Sequence, residues 1–239
     1  MMIRSNISLN NLITNNSDEE TNGENLIIKN IIKDNSIIFD VGARDTTIPF
    51  LNQNSEYHLF EPISYNFDKL NETFKNFKNV KINNYCLSDI NEKVEIYKES
   101  ESINRRIGFN YVWERQNDSR VKNGSKEKIN CITLSDYIEK NNIKKIDLIK
   151  IDVEGYEYKV LKGLGNKIDI VENIMFEYGV GTYMCCNVEL IDVINLLSNK
   201  YSFYIIQNDG LIPINLLDQT IYEKIKPIGY CNLFAKKNG

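Results

Sequence analysis

The spacing of apolar positions along this chain changes repeatedly, and each change marks an element. From Glu24 to Lys33, residues Leu26, Ile27, Ile31 and Ile32 recur at helical spacing and predict a short amphipathic helix. Ile37-Ile38-Phe39 is a continuous apolar run that ends at Asp40-Val41-Gly42-Ala43, the pattern of a buried strand opening into a turn. A helix is expected after it, with Pro49 in its first turn. Tyr57 to Phe60 predicts a second strand ending at Glu61-Pro62, and Ser64 is placed to cap a helix with Phe67, Leu70 and Phe74 on one face. Val80 to Tyr85 predicts a third strand, closed by Ser88-Asp89. The rhythm returns at Ile146 to Ile151, a strand ending at Asp152-Val153-Glu154-Gly155, before a helix that turns Val160, Leu161 and Leu164 inward. Val171 to Phe176 is the next strand, ending at Glu177-Tyr178-Gly179, and Val188 to Leu197 the next helix. Phe203 to Ile206 and Cys231 to Ala235 are expected to pair as a closing antiparallel couple. Such alternation implies an α/β fold whose parallel sheet is joined by crossover helices.

Two stretches break the rhythm. Residues 1–22 are polar and predict a flexible N-terminal arm ahead of one domain over 23–239. Residues 92–132 hold two strand-like runs, Val94 to Tyr97 and Lys128 to Cys131, around a charged stretch with Arg105, Arg106, Arg115 and Arg120 beside Phe109, Tyr111 and Trp113. This segment reads as an insertion over the functional edge of the sheet. Thr133 and Asp136 then form a capping-box-like helix start.

Composition narrows the function classes. The formal net charge of −4 opposes a nucleic-acid backbone, so no nucleic-acid partner is expected. The 5 cysteines form no CxxC spacing and no signal peptide precedes them, so free thiols in a cytoplasmic setting are expected. No apolar run reaches the roughly 18 residues a membrane span needs.

The candidate chemistry sits at strand ends. Asp40, Gly42 and Ala43 form a small-residue turn where backbone can approach a ligand, and Glu61 follows at the spacing of a ribose-binding acid. A dinucleotide fingerprint wants three glycines, but the positions hold Gly42, Arg44 and Thr47, which disfavours a nicotinamide oxidoreductase. Ser88 and Asp89 end the third strand, where an acid can accept from an adenine amino group. Asp152 and Glu154 crowd the exit of the most apolar strand and Glu177 ends its neighbour; crowding of like charges of this kind points to function. Glu157 fits better as a helix-start acid, and His58, mid-strand, as a structural residue.

Taken in order, Phe39-Asp40-Val41-Gly42-Ala43, Phe60-Glu61-Pro62, Leu87-Ser88-Asp89, Ile149 to Gly155 and Val160-Leu161-Lys162-Gly163 resemble the FkbM-type methyltransferase family from about residue 24 to about residue 180. The resemblance implies a class I methyltransferase fold: a Rossmann-like three-layer sandwich on a mostly parallel seven-stranded sheet with an antiparallel closing strand. It implies S-adenosylmethionine as cofactor and O-methylation of a sugar, glycan or other small molecule. On that reading Asp40, Gly42, Ala43, Glu61, Ser88 and Asp89 bind cofactor, and Asp152, Glu154 and Glu177 carry the chemistry. A divalent metal held by Asp152 and Glu177 is a less favoured variant. The family reads Asp-Val-Gly-Ala-Asn-x-Gly, whereas Arg44 and Thr46 replace the Asn and second Gly here. They are expected to crowd the cofactor's methionine end, and they motivate the alternative of a catalytically degenerate binding protein.

Overall fold

The computed structural model describes residues 19, 21–97, 126–179, 183, 186–214 and 229–239. Most of the arm, and the central insertion with its arginines and aromatics, lie outside the described residues.

The main sheet grows from strands that are buried on both faces. β1 (Ile37–Val41) pairs in parallel with β2 (Glu56–Phe60) on one side and β7 (Leu148–Ile151) on the other. β3 (Val80–Asn83) extends the sheet beyond β2, and β8 (Asn173–Gly179) extends it beyond β7. β11 (Tyr230–Lys237) lies antiparallel to both β8 and β9 (Tyr201–Gln207), so the expected closing pair forms with Leu233 opposite Ile205. A short β10 (Gly210–Pro213) folds back on β9 as a hairpin, which makes the order β10-β9-β11-β8-β7-β1-β2-β3 eight strands rather than seven.

Strand pleating sends alternate side chains to two helical layers. Phe39, Ile149, Phe176 and Leu233 pack against α3 (Leu134–Lys140), α4 (Glu157–Lys162) and α5 (Leu190–Leu197). Ile38, Leu148, Met175 and Phe234 pack against α1 (Glu24–Ile31) and α2 (Ser64–Phe74). Near-continuous apolar strands are what a sheet covered on both faces requires. His58 is fully buried among Phe39, Phe60 and Tyr137. Its Nε2 meets Glu56 at 3.0 Å and its Nδ1 accepts from the Tyr137 hydroxyl at 2.7 Å, while burial pushes its pKa down to about 4. It is a neutral structural residue.

Three expectations shift. The third strand stops at Asn83, because Asn83 and Asn84 turn their amides onto the Leu59, Glu61 and Pro62 carbonyls of the β2 exit. The chain then leaves the sheet, and β4 (Cys86–Ser88) pairs with β6 (Lys126–Thr133), itself antiparallel to β5 (Glu92–Tyr97), in a separate sheet of three strands. Only a 3-10 turn, Ile48–Phe50, follows β1, with Pro49 in its first positions. The helix expected to reach Lys33 ends at Ile31, since Ile32 is extended. Half of the anticipated box forms at α3: Thr133 Oγ1 accepts from Asp136 N at 3.1 Å, while Thr133 N donates to Asn91 Oδ1 at 2.9 Å.

The last residues of the arm are held down. Asn22 is fully buried and bonds both to the Glu24 backbone and to its side chain. Gly23 has φ +95°, and a Cβ there would overlap the Gln207 carbonyl of β9.

Candidate active site

Strand order reverses between β1 and β7: the chain runs outward to β2 and β3 on one side, then to β8 on the other. In open α/β sheets ligands bind outside the carboxyl ends of strands at such a switch point. Every acid singled out in the sequence except Asp89 follows or ends one of these central strands.

Backbone bonds stitch the strand exits together. Phe60 O accepts from Gly42 N and Ala43 N at 3.0 and 3.1 Å, and Val41 O accepts from Asp152 N at 2.9 Å. Gly42 has φ +88°, and a Cβ on it would overlap the Asp152 carbonyl. Glycine is therefore demanded here by the β7 exit loop.

The loop that follows wraps Glu61. Arg44 N donates to Glu61 Oε2 at 3.0 Å and Ile63 N donates to Oε1 at 2.9 Å. Glu61 is 4% exposed, and burial, only partly offset by these bonds, pushes its pKa up to about 7. The Arg44 side chain meets Asp45 at 3.3 Å, and its positive charge also acts on Glu61. Thr46, at the second-glycine position, hydrogen-bonds Asp40 through its side chain. The other oxygen of Asp40, Oδ2, is buried without a hydrogen-bond partner, and burial raises the group's pKa to about 6.

The remaining acids form two groups. Oxygens of Asp152, Glu154 and Glu177 lie within 4.8 Å of one another, all on partly exposed residues. Asp152 and Glu177 share a hydrogen bond, which requires a proton; burial first, then the charges of Asp152 and Glu154, hold the Glu177 pKa well above the usual range. Ser88 and Asp89 stand apart from this group. Ser88 is buried beside Tyr156 and Glu92, and Asp89 pairs with Lys162 at 3.0 Å. The small sheet nevertheless touches the crevice, because Cys86, Ile129 and Cys131 pack on Ile63, Val153 and Tyr156 of the strand-exit loops.

Lys150 escaped the sequence reading, whereas Glu157 starts its helix as expected and is buried as well. Lys150, inside the apolar run of β7, is 6% exposed and reaches Glu19 at 2.9 Å, Glu24 at 3.6 Å and Asp152 at 3.6 Å. A lysine between two isoleucines of a central strand was the available signal. Glu157 does begin α4, but it is 1% exposed; Oε1 accepts from Val153 N at 3.1 Å and Oε2 has no partner. A depression of about 260 Å³, lined by Asn30, Ile31, Asp147, Asn173 and Lys236, lies at the opposite end of the strands and takes no part in this arrangement.

The buried acid at the β2 exit and the partnerless Asp40 oxygen fit the polar groups of an adenosyl cofactor. Each Glu61 oxygen accepts one backbone N–H and keeps a further lone pair. The sequence pattern of the methyltransferase FkbM domain family matches residues 40–203. Solved structures of similar fold include the methyltransferase FkbM from Methylobacillus flagellatus KT, at 14% identity and TM-score 0.50, over 86% of this chain and 45% of that one. This chain thus spans less than half the length of that relative. An rRNA methylase from Streptococcus thermophilus is 11% identical with TM-score 0.50 over 90% of this chain and 95% of its own. A putative rRNA methylase from Clostridium thermocellum is 9% identical with TM-score 0.50 over 91% and 97%. The shared fold is that of class I methyltransferases. No helix among the described residues is long and apolar enough to cross a membrane.

Proposed function

Because the chain belongs to the FkbM methyltransferase family, we propose that it transfers a methyl group from S-adenosylmethionine to a hydroxyl of a sugar, glycan or other small acceptor. The observation that carries this reading is the convergence of Asp152, Glu154 and Glu177 at the carboxyl side of the strand switch, two to three strand exits away from the buried Glu61.

When bound, the cofactor supplies an electrophilic sulfonium methyl. Glu61 receives the ribose hydroxyls on its remaining lone pairs, and the Asp40-Gly42-Ala43 turn forms the floor beneath. Ser88 and Asp89 border the adenine side, where the small sheet packs on Val153 and Tyr156. Asp152 accepts the proton of the acceptor hydroxyl. It is the most solvent-accessible of the acids Lys150 touches, with a side chain 40% exposed, and a base must reach its substrate. Glu154 and Glu177 orient the hydroxyl. Excess negative charge here suits a neutral polyol better than an anionic acceptor, and the net charge of −4 weighs against RNA.

One observation favours a second reading, a binding protein without turnover: the Arg44 and Ile63 amides already occupy Glu61. Incubation with methyl-labelled S-adenosylmethionine and a panel of sugars and glycans, read by mass spectrometry, separates the two. Label in a sugar supports transfer. Weak or absent cofactor binding with no label in any hydroxyl acceptor supports the binding protein.

A further inference from the structure

The acids around Lys150 are held in unequal ways. Glu24 belongs to the interior: it is 6% exposed, and Asn22 and Asn232 both donate to its carboxylate. Asp152 stands 3.6 Å from the ammonium, at the strand exit. The shortest contact, 2.9 Å, is to Glu19, which comes from the arm and has a side chain 36% exposed. The Glu19 carbonyl accepts from Asn25 N at a long 3.4 Å. The buried lysine thus has one fixed partner, Glu24, and one that solvent reaches, Glu19.

The strand register sets a carboxylate beside it. Asp40 and Lys150 are direct partners across the parallel pair of β1 and β7. Their backbones are therefore about 4.8 Å apart. Their side chains leave the same face of the sheet, as do those of the pair Ile38 and Leu148 two residues earlier. Asp40 Oδ2 is buried with no hydrogen-bond partner among the described residues. A carboxylate and an ammonium at adjacent positions are the complement of a zwitterion, and in an α-amino acid the nitrogen and the carboxylate carbon are about 2.5 Å apart. S-adenosylmethionine ends in such a group. With its ribose at Glu61 and its adenine toward the small sheet, that end is left for β1 and β7, the two strands next to β2 in the sheet order.

We propose that Lys150 binds the carboxylate of the cofactor's amino-acid end, beside Asp40, and that Glu19 occupies the lysine in the cofactor-free chain and is displaced when the cofactor binds. The inference rests on the cofactor reading of this crevice. Exchange of one carboxylate for another leaves the charge around Lys150 unchanged. Addition without exchange would instead set a fourth carboxylate, after those of Glu19, Glu24 and Asp152, on a single ammonium. Glu19 is the partner able to leave, because Glu24 is tied to two asparagines and Asp152 is part of the strand exit. The end of the arm then acts as a competing ligand built into the chain, and it sets how tightly the cofactor is held.

The test is a calorimetric titration of the full-length native chain and of Glu19→Gln with two compounds, S-adenosylmethionine and its decarboxylated form, which differ by that carboxylate alone. Glu19→Gln should tighten S-adenosylmethionine binding by about threefold, the size of a part-exposed ion pair that no longer has to be broken. It should not tighten the decarboxylated compound, which has nothing to place on the freed lysine. In the variant S-adenosylmethionine should bind at least about tenfold more tightly than the decarboxylated form, the worth of one charge-assisted pair. The native chain should show the same preference, reduced by the displacement of Glu19. Thermal unfolding reports that the variant is folded, and the native chain alone carries the comparison of the two compounds. Equal binding of the two compounds by both chains overturns the inference and leaves the cofactor reading standing, as does an S-adenosylmethionine affinity that Glu19→Gln leaves unchanged or lowers. A native chain that binds neither compound overturns both.

Discussion

Replacing Lys150 with methionine isolates the charge that the fold has placed in its own interior. The side chain lies inside β7, and its ammonium touches Glu19, Glu24 and Asp152 and acts on Asp40. Burial alone would strip its proton, but these acids outweigh burial and hold its pKa well above the ordinary value. The partners suffer from the same burial. The pKa of Glu24 is raised by burial against the pull of Lys150, and that of Asp40 is raised to about 6 in the same way. Methionine fills the volume and removes the charge, which leaves Glu24 and Asp40 buried and without their cation. Breaking a buried pair from one side costs about 3–5 kcal/mol, which for a chain of this size lowers the melting temperature by roughly 6–20 °C. Asn22 and Asn232 still bond Glu24, so the smaller end of that range is the better expectation. The acids can take protons, so the loss should be largest at pH 8 and shrink toward pH 5. Urea unfolding of Lys150→Met at both pH values is the assay. A loss under about 1 kcal/mol, or one independent of pH, would refute the claim that Lys150 neutralises this interior.

Three further outcomes follow from the site. Gly42→Ala forces a side chain onto a residue at φ +88° and into the Asp152 carbonyl; the strained backbone costs about 1–2 kcal/mol and the overlap about 1–3 more, measurable by denaturant unfolding. Burial raises the Glu61 pKa to about 7 in the folded chain from an ordinary value of 4.5. Its stabilising contribution is therefore complete below about pH 4.5 and is lost as pH rises through 7, by about 3 kcal/mol in all. Glu61→Gln should flatten that part of the stability profile between pH 5 and pH 8, and an unaltered slope would contradict the burial argument. Asp152→Asn keeps the volume, and Lys150 retains Glu19 and Glu24, so the melting temperature should move by a few degrees at most while methyl transfer falls by about 10²–10⁴. Full activity would move the base to Glu154 or Glu177.

The layered sheet was legible because β1, β7 and β8 are covered on both faces, and such strands must be written as nearly unbroken apolar runs. Their carboxyl exits were legible for the opposite reason: Asp152, Glu154 and Glu177 are acids abruptly following such runs. The separation of β4 from β3 was hidden, since Asn83 and Asn84 read as ordinary turn residues until their amides are seen capping the β2 exit. The anchoring of Asn22 and Glu24 was hidden too, because a polar run says nothing of the buried lysine from a distant strand that it meets. Arg44 illustrates the limit most clearly. Its side chain meets Asp45, while its backbone N–H reaches Glu61, a contact that the identity of the side chain does not announce. Side-chain identity predicts local preference, whereas the direction of a loop is set by what the neighbouring strands offer it.

The central claim is that the crevice beside Glu61 receives an adenosyl cofactor. Calorimetric titration of the full-length chain with S-adenosylmethionine tests it most directly, with Glu61→Ala alongside and thermal unfolding as the check on folding. Saturable binding by the native chain is predicted. Each charge-assisted bond to a ribose hydroxyl is worth about 1.5–3 kcal/mol, so the variant should bind at least tenfold more weakly while remaining folded. A native chain that binds no cofactor, or a folded Glu61→Ala variant that binds as tightly as the native chain, would contradict it.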